Sequence, residues 1–146
     1  MGLQERLGAR LRRATFALRR LLTSRLTPLG VSHEQYLLLA HLGEHDSITQ
    51  AELARLTCTD GNTVTDNLRR LEAEALVRRF PDPEDGRALR VQITAKGRSL
   101  RKTIMGVADE LTEHVLHDLR AVDRSALLRG LDELARAADD ALRNVE

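Results

Sequence analysis

Tryptophan is absent from this 146-residue chain, and Phe16, Tyr36 and Phe80 are its only aromatic residues. The interior must therefore be aliphatic, and the many Leu and Ala residues favour helices. The single cysteine, Cys58, excludes an intramolecular disulfide framework and fits a reducing compartment. No run approaches the ~18 apolar residues of a membrane-spanning helix, so no membrane association is expected. Also missing are a Gly-rich phosphate loop, a nucleophile elbow and a metalloprotease helix, and neither an enzyme nor a cofactor is expected. Internal repeats and low-complexity segments are likewise absent.

Charge of one sign is absent only on average. The net charge is +1, yet Met1 to Thr27 carries seven arginines against one acid, Glu5, while Asp109 to Glu146 carries ten acids against five arginines. Such asymmetry fits a surface that meets polyanions, or helices that pair with one another. The Arg-rich start superficially resembles a transit peptide, but Ser24 is its only serine and its Leu spacing runs on into the fold. Arg6 stands where a myristoylation signal needs Ser or Thr. A cytoplasmic protein is expected.

Leu3, Leu7, Leu11, Ala14, Leu18 and Leu21 recur at helical spacing, and Thr27-Pro28-Leu29-Gly30 ends that helix. Ser32 with Gln35 forms a capping box that opens a second helix running to Gly43. Thr49 caps a short third helix and Asp60 a fourth, which buries Val64, Leu68, Leu71 and Ala75. Val77 to Phe80 reads as a strand, and Leu89, Val91 and Ile93 alternate as a second. Between them, Pro81 to Gly86 is expected to form an exposed hairpin loop. Thr94 caps a long helix with a ridge from Leu100 through Ile104, Leu111 and Val115 to Leu119. A last helix starts at about Asp123, ridged by Leu127, Leu131, Leu134 and Leu142.

Two short helices joined by a tight turn and followed by a two-stranded hairpin make a winged helix-turn-helix. The fold class is mainly α (α+β), with long N- and C-terminal helices. The second helix of the pair suits a major groove and the hairpin suits the flanking minor groove. Opposite its buried stripe this helix displays Asn62, Asp66 and Arg69, with Thr63 and Arg70 on a flank and Thr65 beside them. Such side chains donate and accept as base readout requires. One such face is more often simply solvated; here the hairpin adds Arg78, Arg79, Arg87 and Arg90, which turns the expectation to DNA. The rival is a winged helix used for protein–protein contact, which needs no long basic wing.

The stretches "LGVSHEQYLLLAHLGEHDSITQAELARLT", "NTVTDNLRRLE" and "DPEDGRALRVQITAKG" resemble the helix-turn-helix, recognition helix and wing of the MarR family of transcriptional regulators. The resemblance covers roughly Leu29 to Leu100, and the wing pattern is its most specific part. It implies a sequence-specific DNA-binding regulator, most simply a repressor released by a small molecule. The implied assembly is a homodimer on a palindromic operator, with residues 1–30 and 98–146 interlocking and 31–97 binding DNA. Asp85 would orient the wing, Arg87 would enter the minor groove, and Arg90 would join the DNA-binding set. The chain departs from the family at Asp66 and Arg69, where the charges are exchanged, and at Ala75, where glycine is usual, so the operator cannot be borrowed.

The resemblance also implies an effector cavity where the first, second and fifth helices meet. Arg13 and Arg20 share a helix face with Phe16 between them, and Tyr36, His41 and His114 are further candidates. That set suits a small anionic aromatic or phenolic ligand. Arg12 and Arg19 lie on the same helix. Solvated arginines, or arginines paired with acids of a partner subunit, are an equally good reading. Glu34, His41, His45, His114 and His117 fall at spacings that zinc ligands use. The plainer expectation for them is solvent-facing histidines with no metal. Cys58, in the turn before the recognition helix, is expected to pack rather than to sense oxidants.

Overall fold

The computed structural model describes residues 1–119 and 123–144. Helix α1 spans Leu3–Leu26, and a 3-10 turn over Thr27–Leu29 follows. Gly30 closes that turn at φ 71°, a left-handed conformation that glycine adopts without a Cβ clash. Helix α2 (His33–Leu42) starts at the capping box, with Ser32 Oγ accepting from Gln35 N at 3.1 Å and Gln35 Oε1 accepting from Ser32 N at 3.0 Å. Helix α3 is Gln50–Leu56 and helix α4 Gly61–Ala73; Thr49 and Asp60 cap them by accepting from the amides of Glu52 and Thr63. Strands β2 (Val77–Pro81) and β3 (Leu89–Ile93) form the hairpin, followed by α5 (Ala95–His117) and α6 (Arg124–Arg143). The expected ridge at Leu119 lies beyond the end of α5.

Two local readings of the sequence are corrected. Ile48–Thr49 forms a further strand, β1, which pairs antiparallel with Val91 and Arg90 and makes β3 the centre of a three-stranded sheet. Two residues are too short for any alternating pattern to register. Pro81, expected in the loop, is the last residue of β2 and stands opposite Leu89. It is tolerated because β2 is an edge strand, where a missing N–H costs the ladder nothing.

The described chain falls into two compact units, Met1–Asp109 and Glu110–Glu146. In the first, Leu26, Leu38, Leu39, Leu53, Val64, Leu68, Val91 and Ile104 are essentially inaccessible. Each buried Leu or Ile of this kind stabilises the fold by about 1.5–3 kcal/mol. Gly97 lets α5 approach the start of β2: a Cβ there would fall 2.1 Å from the carbonyl oxygen of Leu76. Arg101, on α5, closes the C-terminal end of α2 by donating to the carbonyls of Leu39 and Ala40 and pairing with Glu44. Cationic groups are favoured there by the helix dipole.

Not every apolar ridge is buried. On α1, Leu3, Leu7, Phe16 and Leu18 are exposed and only Leu26 is buried; on α6, Leu128, Leu131, Leu134 and Leu142 are exposed and none is buried.

Candidate nucleic-acid interface

Helix α4 buries Val64, Leu68 and Leu71 and leaves Asn62, Asp66, Arg69 and Arg70 exposed, with Thr63 and Thr65 half-buried at the margins. Its start is fixed twice by Asp60, which accepts from Thr63 N at 2.9 Å and from Thr63 Oγ1 at 2.6 Å. These bonds, the hydroxyl of Thr63 foremost, hold the Asp60 carboxyl below its ordinary range. Arg69 and Asp66 face each other at 3.5 Å, an exposed pair that constrains little and leaves both charges available. The turn from α3 passes through Cys58, which is exposed rather than packed, at φ 50°; Ala75, expected among the buried residues of α4, lies beyond the end of that helix, exposed and at φ 58°. Ala75 holds the left-handed position that suits glycine, and the chain departs from the family resemblance at this residue.

In the hairpin, the arginines divide. Arg79 is largely buried: Glu72 of α4 accepts from its Nε at 3.0 Å, its Nη2 at 2.8 Å and its backbone N at 2.9 Å. Arg90 donates to Ser47 Oγ at 2.9 Å, to the Ser47 carbonyl at 2.9 Å and to Asp82 Oδ2 at 3.0 Å. Arg78 donates to Gln92 at 2.6 Å and lies 5.4 Å from the ring of Phe80. Arg87 alone of the four has no side-chain bond or ion pair among the described residues, and it is exposed. Its backbone N–H donates to Asp85 Oδ1 at 3.1 Å, so Asp85 shapes the turn that presents it.

Sequence reasoning passed over two residues here. Asp82, 8% exposed, accepts from the amides of Glu84 and Asp85 as well as from Arg90, and these bonds, Glu84's first, lower its carboxyl pKa. Gln50 bridges α3 to α4 by donating to Thr65 Oγ1 at 2.8 Å. The Pro-Asp-Pro context marked Asp82 as a turn former, but nothing marked its arginine partner. A cleft of about 380 Å3 opens between α3, α4 and the wing, lined by Gln50, Asn62, Thr65 and Arg87 among others and by no carboxylate.

A second cleft, of about 610 Å3, lies between the later half of α1 and the start of α2. It brings together Phe16 and Arg20 of the expected effector set, with Arg19, His33 and Glu34. Arg13, Tyr36 and His41 do not line it, and His114 belongs to the second unit. Arg20 lies 5.8 Å from the Phe16 ring, and Arg19 pairs with Glu34. Burial, then Arg19, push the His33 pKa down, against the pull of Glu34. Among the described residues no three His, Cys, Asp or Glu side chains converge on a metal-sized site; His45, His114 and His117 are exposed.

Residues 31–89 match the sequence profile of the MarR family. The HTH-type transcriptional repressor Rv2887 of Mycobacterium tuberculosis is 32% identical over 128 residues, covering 88% of this chain and 92% of the repressor. The chain belongs to the MarR family. The HTH-type transcriptional repressor NicR of Pseudomonas putida is 32% identical over 107 residues, 73% of this MarR-family chain and 68% of NicR. Among solved structures, an Escherichia coli MarR variant complexed with operator DNA superposes with a TM-score of 0.78 at 26% identity, covering 88% of this chain and 92% of that one. This MarR-family protein is thus a DNA-binding transcriptional regulator with the winged helix-turn-helix expected from its sequence. No helix among its described residues is long and apolar enough to cross a membrane.

Proposed function

We propose that this regulator works as a homodimer that represses from a palindromic operator, with α4 in the major groove and Arg87 in the adjoining minor groove. The unpaired, exposed guanidinium of Arg87 carries this reading, because Arg78, Arg79 and Arg90 are all bonded within the protein. A narrow minor groove concentrates negative potential and favours an inserted arginine. Asn62, Thr63, Thr65, Asp66, Arg69 and Arg70 are the base- and phosphate-reading set, whereas Arg90 and Asp85 act by fixing the wing.

The exposed Leu ridges of α1 and α6 support dimerisation, since patches of this kind are rarely left to water. The arginines of the first 27 residues and the acids beyond Asp109 give the two copies complementary charge. The cleft beside Phe16 and Arg20 falls in the volume range of small-molecule sites and suits an anionic aromatic or phenolic effector that releases the DNA. Selecting bound sites from random or genomic fragments, with affinity followed against salt, tests the proposal. A palindromic consensus with a steep salt dependence is expected; a chain that selects no sequence refutes it.

A further inference from the structure

Gln50 occupies the first position of α3 and touches two functional elements at once. Its Nε2 donates to Thr65 Oγ1 at 2.8 Å, and its Oε1 faces Arg79 Nη1 at 3.5 Å. Arg79 has no acceptor atom, so the amide is obliged to turn its oxygen towards the guanidinium and its NH2 group towards Thr65. Arg79 is in turn held by Glu72 at the far end of α4. The hydroxyl hydrogen of Thr65 is already committed to the Gly61 carbonyl at 2.8 Å. Its donor and one of its two acceptor positions are therefore occupied from within the protein. What Thr65 still offers is one lone pair and a methyl group, beside Asn62 and Arg87 in the cleft between α4 and the wing.

We infer that Gln50 is a specificity-determining residue: by donating to Thr65 Oγ1 it takes one lone pair and strengthens the bond that commits the Thr65 hydrogen to the Gly61 carbonyl, so that position 65 accepts from an operator base and does not donate to it. This rests on the reading of α4 as the helix that enters the major groove. In that groove adenine and cytosine present amino donors, thymine presents a methyl, and guanine presents acceptors only. A Thr65 that can only accept or make apolar contact favours adenine, cytosine or thymine at its contact and discriminates against guanine. Gln50 acts through Thr65, as a positioning residue whose own orientation is inherited from Glu72 and Arg79.

The test uses the full chain and duplexes carrying every base substitution at each position of the selected half-site. Thr65→Val identifies the contacted position by flattening its preference. Gln50→Met, close in shape but without the amide, is expected to reduce discrimination against guanine at that same position by about 3- to 10-fold, the value of one hydrogen bond. The double variant is expected to go no further than the larger single effect. Gln50→Ala repeats the measurement with a second side chain. Preferences at that position unchanged by either Gln50 variant, or affinity lowered equally for every sequence, overturn the inference while leaving the operator reading intact. Failure of the wild-type chain to select any sequence overturns both.

Discussion

Arg90 Nη1 stands 3.0 Å from Asp82 Oδ2, and the same guanidinium donates twice to Ser47 at the entrance to β1. Arg90 of β3 thereby ties the base of the wing at Asp82 to Ser47, which leads through β1 into α3. Asp82→Ala removes one of the three acceptors of Arg90 and the carboxylate that accepts from two loop amides. It is expected to lower the melting temperature and to weaken operator binding mainly through a disordered wing, which amide hydrogen exchange at Glu84 and Asp85 reads directly. Protection unchanged at those two amides refutes the locking role.

Acid should act through the same residues. The Asp82 carboxyl is held below its ordinary value, chiefly by the Glu84 amide, and that of Glu72 chiefly by the Arg79 side chain. A folded-state pKa below the unfolded one gives stability that is full above the ordinary carboxylate range and is lost as pH falls through the folded value. Thermal stability is expected to be flat near neutrality and to drop in acid. In Glu72→Gln part of that acid-side drop should disappear, with a loss at neutral pH of about 1–2 kcal/mol, modest because Glu72 is 36% exposed.

Arg87→Ala should weaken operator binding by ~1–3 kcal/mol and reduce discrimination at the flanking A·T-rich steps, with no change in melting temperature. Gel-shift titration on operators with altered flanks checks this. Wild-type affinity and flank preference would place the wing away from the groove.

Ala75 sits at φ 58° between α4 and β2. Ala75→Gly relieves the clash of Cβ with the following carbonyl, and the gain outweighs the extra freedom of the unfolded chain, giving about 0.5–1 kcal/mol of stability. Chemical denaturation measures it, and a destabilised variant would show that the left-handed turn is not strained.

Leu18 and Leu131 are exposed, at 51% and 43%, on the ridges of α1 and α6. Leu18→Glu with Leu131→Glu should leave each chain folded and convert the proposed dimer to monomer, at about 1.5–3 kcal/mol per side chain kept in water. Sedimentation and circular dichroism together decide it. In parallel, aromatic carboxylates should raise the melting temperature of the wild type and release DNA, and Phe16→Ala or Arg20→Ala should abolish both responses. A response that survives in both variants moves the effector elsewhere.

Element order, helix starts and the wing hairpin were legible in the chain because their causes are local. Ser32, Thr49, Asp60, Thr94 and Asp123 each cap a helix with an oxygen that reaches an amide three residues on. Val91 and Ile93 are buried by the pleat of a strand with one face to the core, whereas Leu89, in phase with them, is exposed at the wing end of the strand. The exposed face of α4 followed from helical spacing alone. Tertiary structure decided which basic residues are free. In sequence Arg78, Arg79, Arg87 and Arg90 are equivalent charges, and only folding brings Glu72, Ser47 and Asp82 against two of them. Strand β1, two residues long, exists because β3 offers it a ladder. The Gln50–Thr65 bridge likewise depends on two helices packing, since partners 15 positions apart leave no periodic trace. Short-range hydrogen bonds and periodic burial are written in the chain; the pairing of charges across elements is settled only by which elements meet.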